Sequence, residues 1–308
     1  MNLIAEIKKG SRHALARVIS KIENRDEDVS ELMKTLYPMT GKAEIWGITG
    51  PPGAGKSTLT DRLTTDLRKQ GKRVGIVCVD PSSPFTGGAI LGDRIRMQSH
   101  YLDDGVFIRS LGTRGKHGGL SHATKEVVLA LDAAGFDVVI VETAGVGQTE
   151  LEVLKLAQTV IVVLVPESGD SIQVMKAGLM EIADVFAVNK SDRPEADKLI
   201  KELISMVSLV EQPQDAWIIP VQKTEATKDQ GITGLIGNIK KHQTYLTQSG
   251  KRADKTKVFI RNEITDILAE KLENELTDVF ASQKGKEILD QVVNRKLDPY
   301  AAAEKIKD

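Results

Sequence analysis

The chain has 308 residues, 41% of them hydrophobic and 28% charged, with a net charge of −1. These values fit a folded chain with a sizeable core and exclude a basic footprint for nucleic acid. The longest strongly apolar run, Val160–Val165, is too short to span a bilayer, and the single cysteine, Cys78, excludes an internal disulfide and any zinc site built on cysteine pairs.

Residues 1–37 carry Leu3, Ile4, Ile7, Leu15, Val18, Ile19 and Ile22 near helical spacing, which predicts a helical segment over 1–42 packing on the main domain. The cationic start admits a mitochondrial presequence, but it has no secretory h-region, and the reading is cytoplasmic. Tyr37 to Lys42 forms a connector. From Ala43 to about residue 250, short apolar runs alternate with helical patterns, so the fold class is α/β, a mostly parallel sheet flanked by helices. The strands fall at Glu44–Thr49, Arg73–Asp80, Val106–Ser110, Val138–Thr143, Thr159–Pro166, Val185–Asn189 and Trp217–Val221. Several are continuous Val/Ile runs, as in strands buried on both faces, and Cys78 lies in one of them as a small hydrophobe. Such sheets bind ligands beyond the carboxyl ends of their strands.

The first strand runs into Gly50-Pro51-Pro52-Gly53-Ala54-Gly55-Lys56-Ser57-Thr58, which fits the phosphate-binding pattern G-x-x-x-x-G-K-[ST]. Glycines let successive N–H groups turn toward a pyrophosphate. Lys56 supplies charge for the β- and γ-phosphates, the Ser57 hydroxyl can ligate Mg²⁺, and the following helix presents its positive end. A nucleoside triphosphate is implied.

Asp80 closes the second strand, and a long Pro/Gly-rich stretch leads to Asp93. Either aspartate alone reads as a cap or a surface residue; the strand end and the long loop favour a role in holding Mg²⁺. Gly112–Ser121 is a second glycine-rich basic loop, where His117 and His122 read equally as functional or as exposed loop residues. The fourth strand ends at Glu142, with Gly145 three residues on, the arrangement a γ-phosphate sensor needs. Gln148 reads equally as a water-orienting residue or as a helix-start glutamine. The sixth strand ends in Asn189-Lys190-Ser191-Asp192, fitting N-K-x-D. An Asp accepts from the ring N–H and the amino group of guanine, a donor pair adenine lacks, so the nucleotide is GTP. Thr224-Glu225-Ala226 follows the last strand over the base edge, Ile232–Leu246 forms a closing helix, and Lys251–Lys257 reads as a charged hinge. Residues 251–308 then form a helical arm with apolar Ile260, Ile264, Ile267, Leu268 and Leu272.

These stretches, with VDPSSPFTGGAILGDRIRM, GDSIQVMKAGLMEIAD and the terminal LDPYAAAEKI, resemble the MeaB/ArgK-type GTPases, P-loop proteins of the SIMIBI class that serve adenosylcobalamin-dependent acyl-CoA mutases. The resemblance runs from about Ile45 to the C-terminus. It implies that Lys56 and Ser57 bind phosphates and Mg²⁺, that Asp80, Asp93 and Glu142 organise the metal and its waters, and that Gly145 to Gln148 form a second switch. It also implies that Asn189, Lys190 and Asp192 read guanine, and that Asp170 to Lys176 form a third switch in which Lys176 touches nucleotide or catalytic machinery. A homodimer held through the C-terminal arm is implied as well. The expected function is GTP hydrolysis that gates cofactor delivery to a mutase such as methylmalonyl-CoA mutase and protects it. No nucleic acid or membrane partner is expected. One position departs from the family: Glu225 stands where Ser is common, which bears on nucleotide affinity, with the Ala226 amide still able to contact the base. A small-molecule kinase is the alternative, opposed by the guanine-reading motif. A nickel-loading GTPase lacks its Cys/His ligands here, and a secretory targeting GTPase lacks its methionine-rich domain.

Overall fold

The computed structural model describes residues 3–80, 97–112, 119–145, 155–166, 179–209 and 216–307. A seven-stranded sheet organises the first of two compact units, which ends at Phe259. Its strands are β1 (Glu44–Thr49), β2 (Val74–Asp80), β3 (Val106–Gly112), β4 (Val138–Thr143), β5 (Thr159–Leu164), β6 (Val185–Val188) and β7 (Val221–Lys223). All pairings are parallel, in the order β3-β2-β4-β1-β5-β6-β7. The chain reverses direction across the sheet at β1, so the loop after β1 opens into the crevice between two outward-going halves. Every residue of β4, β5 and β6 is buried, which explains their unbroken Val/Ile runs.

One sheet face carries Trp46, Ile48, Ile76, Ile140, Ile161 and Val163. It packs on Leu59, Leu63 and Leu67 of the helix Lys56–Lys69 and on Leu235, Ile236 and Ile239 of the helix Ile232–Gln248. The other face presents Val77, Val79, Val139 and Val141 to the helix Gly119–Ala133 and to three leading helices, Leu3–Lys8, Arg12–Asn24 and Val29–Leu36. In the second of these, Leu15, Val18, Ile19 and Ile22 form the buried stripe. Ser11 caps its start by accepting from the Ala14 N–H at 3.2 Å, and Arg25 ends it in the left-handed region. Two polar contacts fasten these helices. Arg25 meets the buried Glu126 at 2.5 Å, and the buried Asp132 carboxylate accepts from the N–H groups of Gly41 (2.5 Å), Lys42 (3.1 Å) and Ala43 (3.0 Å) immediately before β1.

Two expectations need correction. The last strand is Val221–Lys223, not Trp217–Val221: Trp217, Ile218 and Ile219 have strand-like side chains, but Pro220 has no N–H to give the ladder. The Trp217 indole instead donates to the Asp184 carbonyl at 2.7 Å and lies beside His242, ring centroids 4.9 Å apart. Lys251–Lys257, read as a hinge, forms the first turns of the helix Lys251–Ala281. Lys, Arg and Ala, which make up most of this stretch, are good helix formers, and no glycine or proline interrupts it.

The second unit, residues 260–308, contains the rest of that helix followed by Gln283–Val293 and Pro299–Lys307. Ser282 caps the middle helix by accepting from the Gly285 N–H at 3.1 Å. Ile264, Leu268 and Leu272 are exposed and recur every fourth residue. Among the described residues, no helix is long and apolar enough to cross a membrane.

Candidate nucleotide-binding site

The phosphate loop, residues 50–55, is shaped by positions that no other residue could fill. Gly50 has φ 145°, and a Cβ there would overlap the Val163 carbonyl oxygen of the neighbouring β5. Gly55 has φ 86°, and a Cβ there would lie 2.5 Å from Asn189 Nδ2. Gly55 is also the N-cap of the helix Lys56–Lys69, so the first-turn N–H groups of Lys56, Ser57 and Thr58 face the loop. Pro51 accepts from the Ala54 N–H at 3.2 Å and closes the loop on itself, with Pro52 and Gly53 at its tip. The buried Lys56 ammonium donates to the carbonyls of Gly50 (2.9 Å), Pro51 (3.1 Å) and Ala144 (3.1 Å), placing one positive charge between the loop and the end of β4.

Glu142 lies at that strand end, 3% exposed, and both its oxygens are engaged. Ser57 Oγ donates to Oε1 at 2.6 Å and Thr60 Oγ1 donates to Oε2 at 2.7 Å. The register sets this up: Glu142 pairs with Ile48 of β1 and Cys78 of β2, so it stands beside the phosphate loop and two residues short of the β2 end at Asp80. The backbone places Asp80 on the same sheet edge. Thr49 and Thr143 reach the Gly145 carbonyl at 2.9 and 3.0 Å and fix the start of the segment beyond β4. A hydroxyl that donates to a carboxylate keeps an oxygen lone pair for a cation. The Ser57–Glu142 pair is therefore a hard-oxygen donor set that fits Mg²⁺. Among the described residues, no three His, Cys, Asp or Glu side chains gather into a metal-binding group.

The base-reading end is laced by a single side chain. Asn189, 3% exposed, donates through Nδ2 to the Ala54 carbonyl at 2.9 Å. Its Oδ1 accepts from the Ala226 N–H at 3.1 Å and the Thr224 hydroxyl at 3.3 Å. The phosphate loop, the N-K-S-D turn and the Thr224–Ala226 loop thus form one rigid corner. Lys190 takes the left-handed conformation, φ 54°, which turns the chain so that the Ser191 N–H reaches the Thr224 carbonyl at 3.2 Å and Asp192 follows on the exposed side. Glu225 is buried and paired with Lys228 at 2.5 Å.

The structure brings together Gly50 to Thr58, Glu142, Gly145, Asn189, Lys190, Asp192, Glu225 and Ala226 at the carboxyl edge of the sheet. Asp93, Gln148 and Lys176, with the Pro/Gly-rich stretch before Asp93 and the Asp170–Lys176 segment, lie outside the described residues. Two participants were not picked out by motif. Thr60 holds the second oxygen of Glu142; its place one turn after Ser57 on the same helix face was the available signal. Lys228 pairs with Glu225 three residues earlier, a local spacing that the motifs do not mark.

The family model described as methylmalonyl-CoA mutase-associated GTPase MeaB matches residues 15–281. A Pyrococcus horikoshii protein, PH0274, whose name includes the word GTPase, is 47% identical over 310 residues, covering 99% of this chain and 96% of its own. The Escherichia coli GTPase ArgK is 36% identical over 255 residues, covering 80% of this chain and 77% of its own. A mouse protein named methylmalonic aciduria type A homolog, mitochondrial, is 32% identical over 286 residues, covering 85% and 68%. Among solved structures, an LAO/AO transport system kinase superposes with a TM-score of 0.70 at 26% identity, covering 99% of this chain and 95% of that one. Matched by this model along most of its length, the chain belongs to the MeaB family of methylmalonyl-CoA mutase-associated GTPases.

Proposed function

We propose that this GTPase uses slow hydrolysis to gate adenosylcobalamin delivery to, and to protect or reactivate, an adenosylcobalamin-dependent acyl-CoA mutase of the methylmalonyl-CoA mutase type. The observation that carries the nucleotide part is the Asn189 corner, which ties the phosphate loop to both base-facing loops. The mutase part rests on the family description and on the mouse relative's name. Asp192 takes the ring N–H and amino group of guanine, the Lys190 stem covers the base, and the Ala226 amide lies at its edge. Lys56 offsets charge developing on the β- and γ-phosphates. Ser57, Asp80, Asp93 and Glu142 are the residues that would hold Mg²⁺, which when bound neutralises phosphate charge. Gln148 or Asp93 orients the attacking water, and Lys176 supports the reacting phosphate. The arm from 251 onward serves as the dimer contact, its Ile264, Leu268 and Leu272 stripe meeting a second copy, and the protein works in the cytoplasm.

GTP hydrolysis measured with and without a candidate mutase, and with ATP as control, tests this reading. Mutase-stimulated turnover specific to GTP is the expected result. Fast turnover that ignores every such mutase would sink the partner assignment. Preference for ATP would favour the kinase reading, which the name of the superposed LAO/AO protein supports.

A further inference from the structure

The base-facing loop contains a charge pair that reading guanine does not itself require. Glu225 lies between Thr224, whose carbonyl accepts from Ser191, and Ala226, whose N–H donates to Asn189. Its backbone is fixed: the N–H donates to the Gln230 carbonyl at 3.0 Å, and the carbonyl accepts from Gln230 at 3.2 Å and Lys228 at 3.0 Å. The residue is 7% exposed. Its carboxylate meets Lys228 Nζ at 2.5 Å, one turn on. Ser191 is bonded to Thr224, so Asp192 and Glu225 are the next residues along from one backbone contact. Lys228 responds to both: the hydrogen bond to Glu225, the charge of Glu225 and then the charge of Asp192 keep its ammonium protonated above the ordinary lysine value. Lys228 is thus in direct contact with one of these carboxylates and feels the charge of the other. Without that cation, the two negative charges at this corner would go unopposed by Lys228.

We propose that Lys228, held by Glu225, is a specificity-determining positioning residue that keeps the Asp192 carboxylate aimed at the base. The inference rests on the guanine reading above and extends it. Asp192 needs one oxygen for the ring N–H, which hypoxanthine shares, and the second for the 2-amino group, which only guanine has. Turning Asp192 aside therefore costs the second contact first, and the discrimination between the two bases falls before binding does.

The experiment compares GDP, IDP and ADP affinities by calorimetry for the full-length protein, Lys228→Met, and Glu225→Ser/Lys228→Met. Methionine keeps the apolar stem, and position 228 is exposed, so the fold is not at risk. Lys228→Met is expected to weaken GDP about fivefold, the upper range for removing an exposed ion partner, with a smaller loss for IDP. The GDP-to-IDP ratio contracts, and the double variant, with both charges gone, restores it. An unchanged ratio in Lys228→Met, or a double variant no better than the single, overturns the proposal. If the unmodified protein itself fails to prefer GDP over IDP and ADP, the guanine reading fails instead, and the two failures are told apart in the same titrations.

Discussion

Replacing Asn189 with Ala removes the one side chain that joins three loops. Two of its hydrogen bonds are well formed, to Ala54 at 2.9 Å and from Ala226 at 3.1 Å, and the third, from Thr224 at 3.3 Å, is weaker. Each is worth about 1 kcal/mol net, and truncation also leaves the Ala54 carbonyl and the Ala226 N–H buried without that partner. The two loops can relax outward in part, so the total loss is about 2–3 kcal/mol. At about 2–4 °C per kcal/mol, thermal unfolding moves down by roughly 4–12 °C. The same energy, if spent in realigning the loops on binding, weakens GDP by about 30- to 150-fold. Asn189→Asp keeps the acceptors but sets a carboxylate against the Ala54 carbonyl, so it is expected to lose more affinity than the alanine variant. Scanning calorimetry and nucleotide titration in one buffer provide both readouts. An alanine variant melting within about 1 °C of the unmodified protein and binding GDP within about twofold would refute the idea that this side chain holds the corner.

Glu142→Gln removes the charge beside Ser57 and leaves one acceptor oxygen for two hydroxyl donors. GTP hydrolysis is expected to fall at least about tenfold with a raised Mg²⁺ requirement, and an unchanged Mg²⁺ titration would separate this carboxylate from the metal. Asp132→Ala strips the acceptor from three N–H groups ahead of β1; a loss of about 2–3 kcal/mol in urea unfolding is expected, and a loss below about 0.5 kcal/mol would show those groups are satisfied otherwise. Acid should destabilise the fold through His242, which burial, then the Lys255 charge, pushes down to about 3. Its ring accepts from Thr159 at Nδ1 (2.9 Å) and faces Asp184 at Nε2 (3.2 Å), an arrangement consistent with the Gln243 amide donating to the same Thr159 oxygen. Between pH 6.5 and about 3 the unfolded chain takes up a proton that the folded one refuses. This contribution is complete above 6.5 and is lost as pH falls, at up to about 1.4 kcal/mol per unit. Asp184, raised by burial, opposes this at lower pH, because the folded form takes its proton first. His242→Gln should flatten the urea midpoint between pH 6.5 and 5, and equal slopes in both proteins would exclude His242 as the cause.

The strands β1 and β4 were legible to the residue because an apolar run bounded by polar or turn residues leaves little choice of limits. Ser57 and Glu142 were legible as well, one by fixed spacing and the other by its place at a strand end. Thr60 and Asp132 were not, because a hydroxyl or a charge on a helix looks the same whether it meets solvent or a partner dozens of residues away; Lys228 was not, because its partner Glu225, three residues earlier, stood out only for its place near the base. Trp217 misled for a different reason: its side chain favours a strand, yet Pro220 and the Asp184 carbonyl decide its conformation.

The leading helices share one apolar cluster with the helix Gly119–Ala133 and the sheet face of Val77, Val79, Val139 and Val141, which limits how the molecule can be cut. A piece beginning at Ala43 would retain every nucleotide-binding motif, yet the helix Gly119–Ala133 and the sheet beside it would lose part of their apolar cover, and Asp132 would be deprived of the Gly41 and Lys42 donors. Such a fragment would cluster through the surface so bared before it could serve as a minimal GTP-binding module. The smallest portable unit in this chain begins well ahead of its first strand.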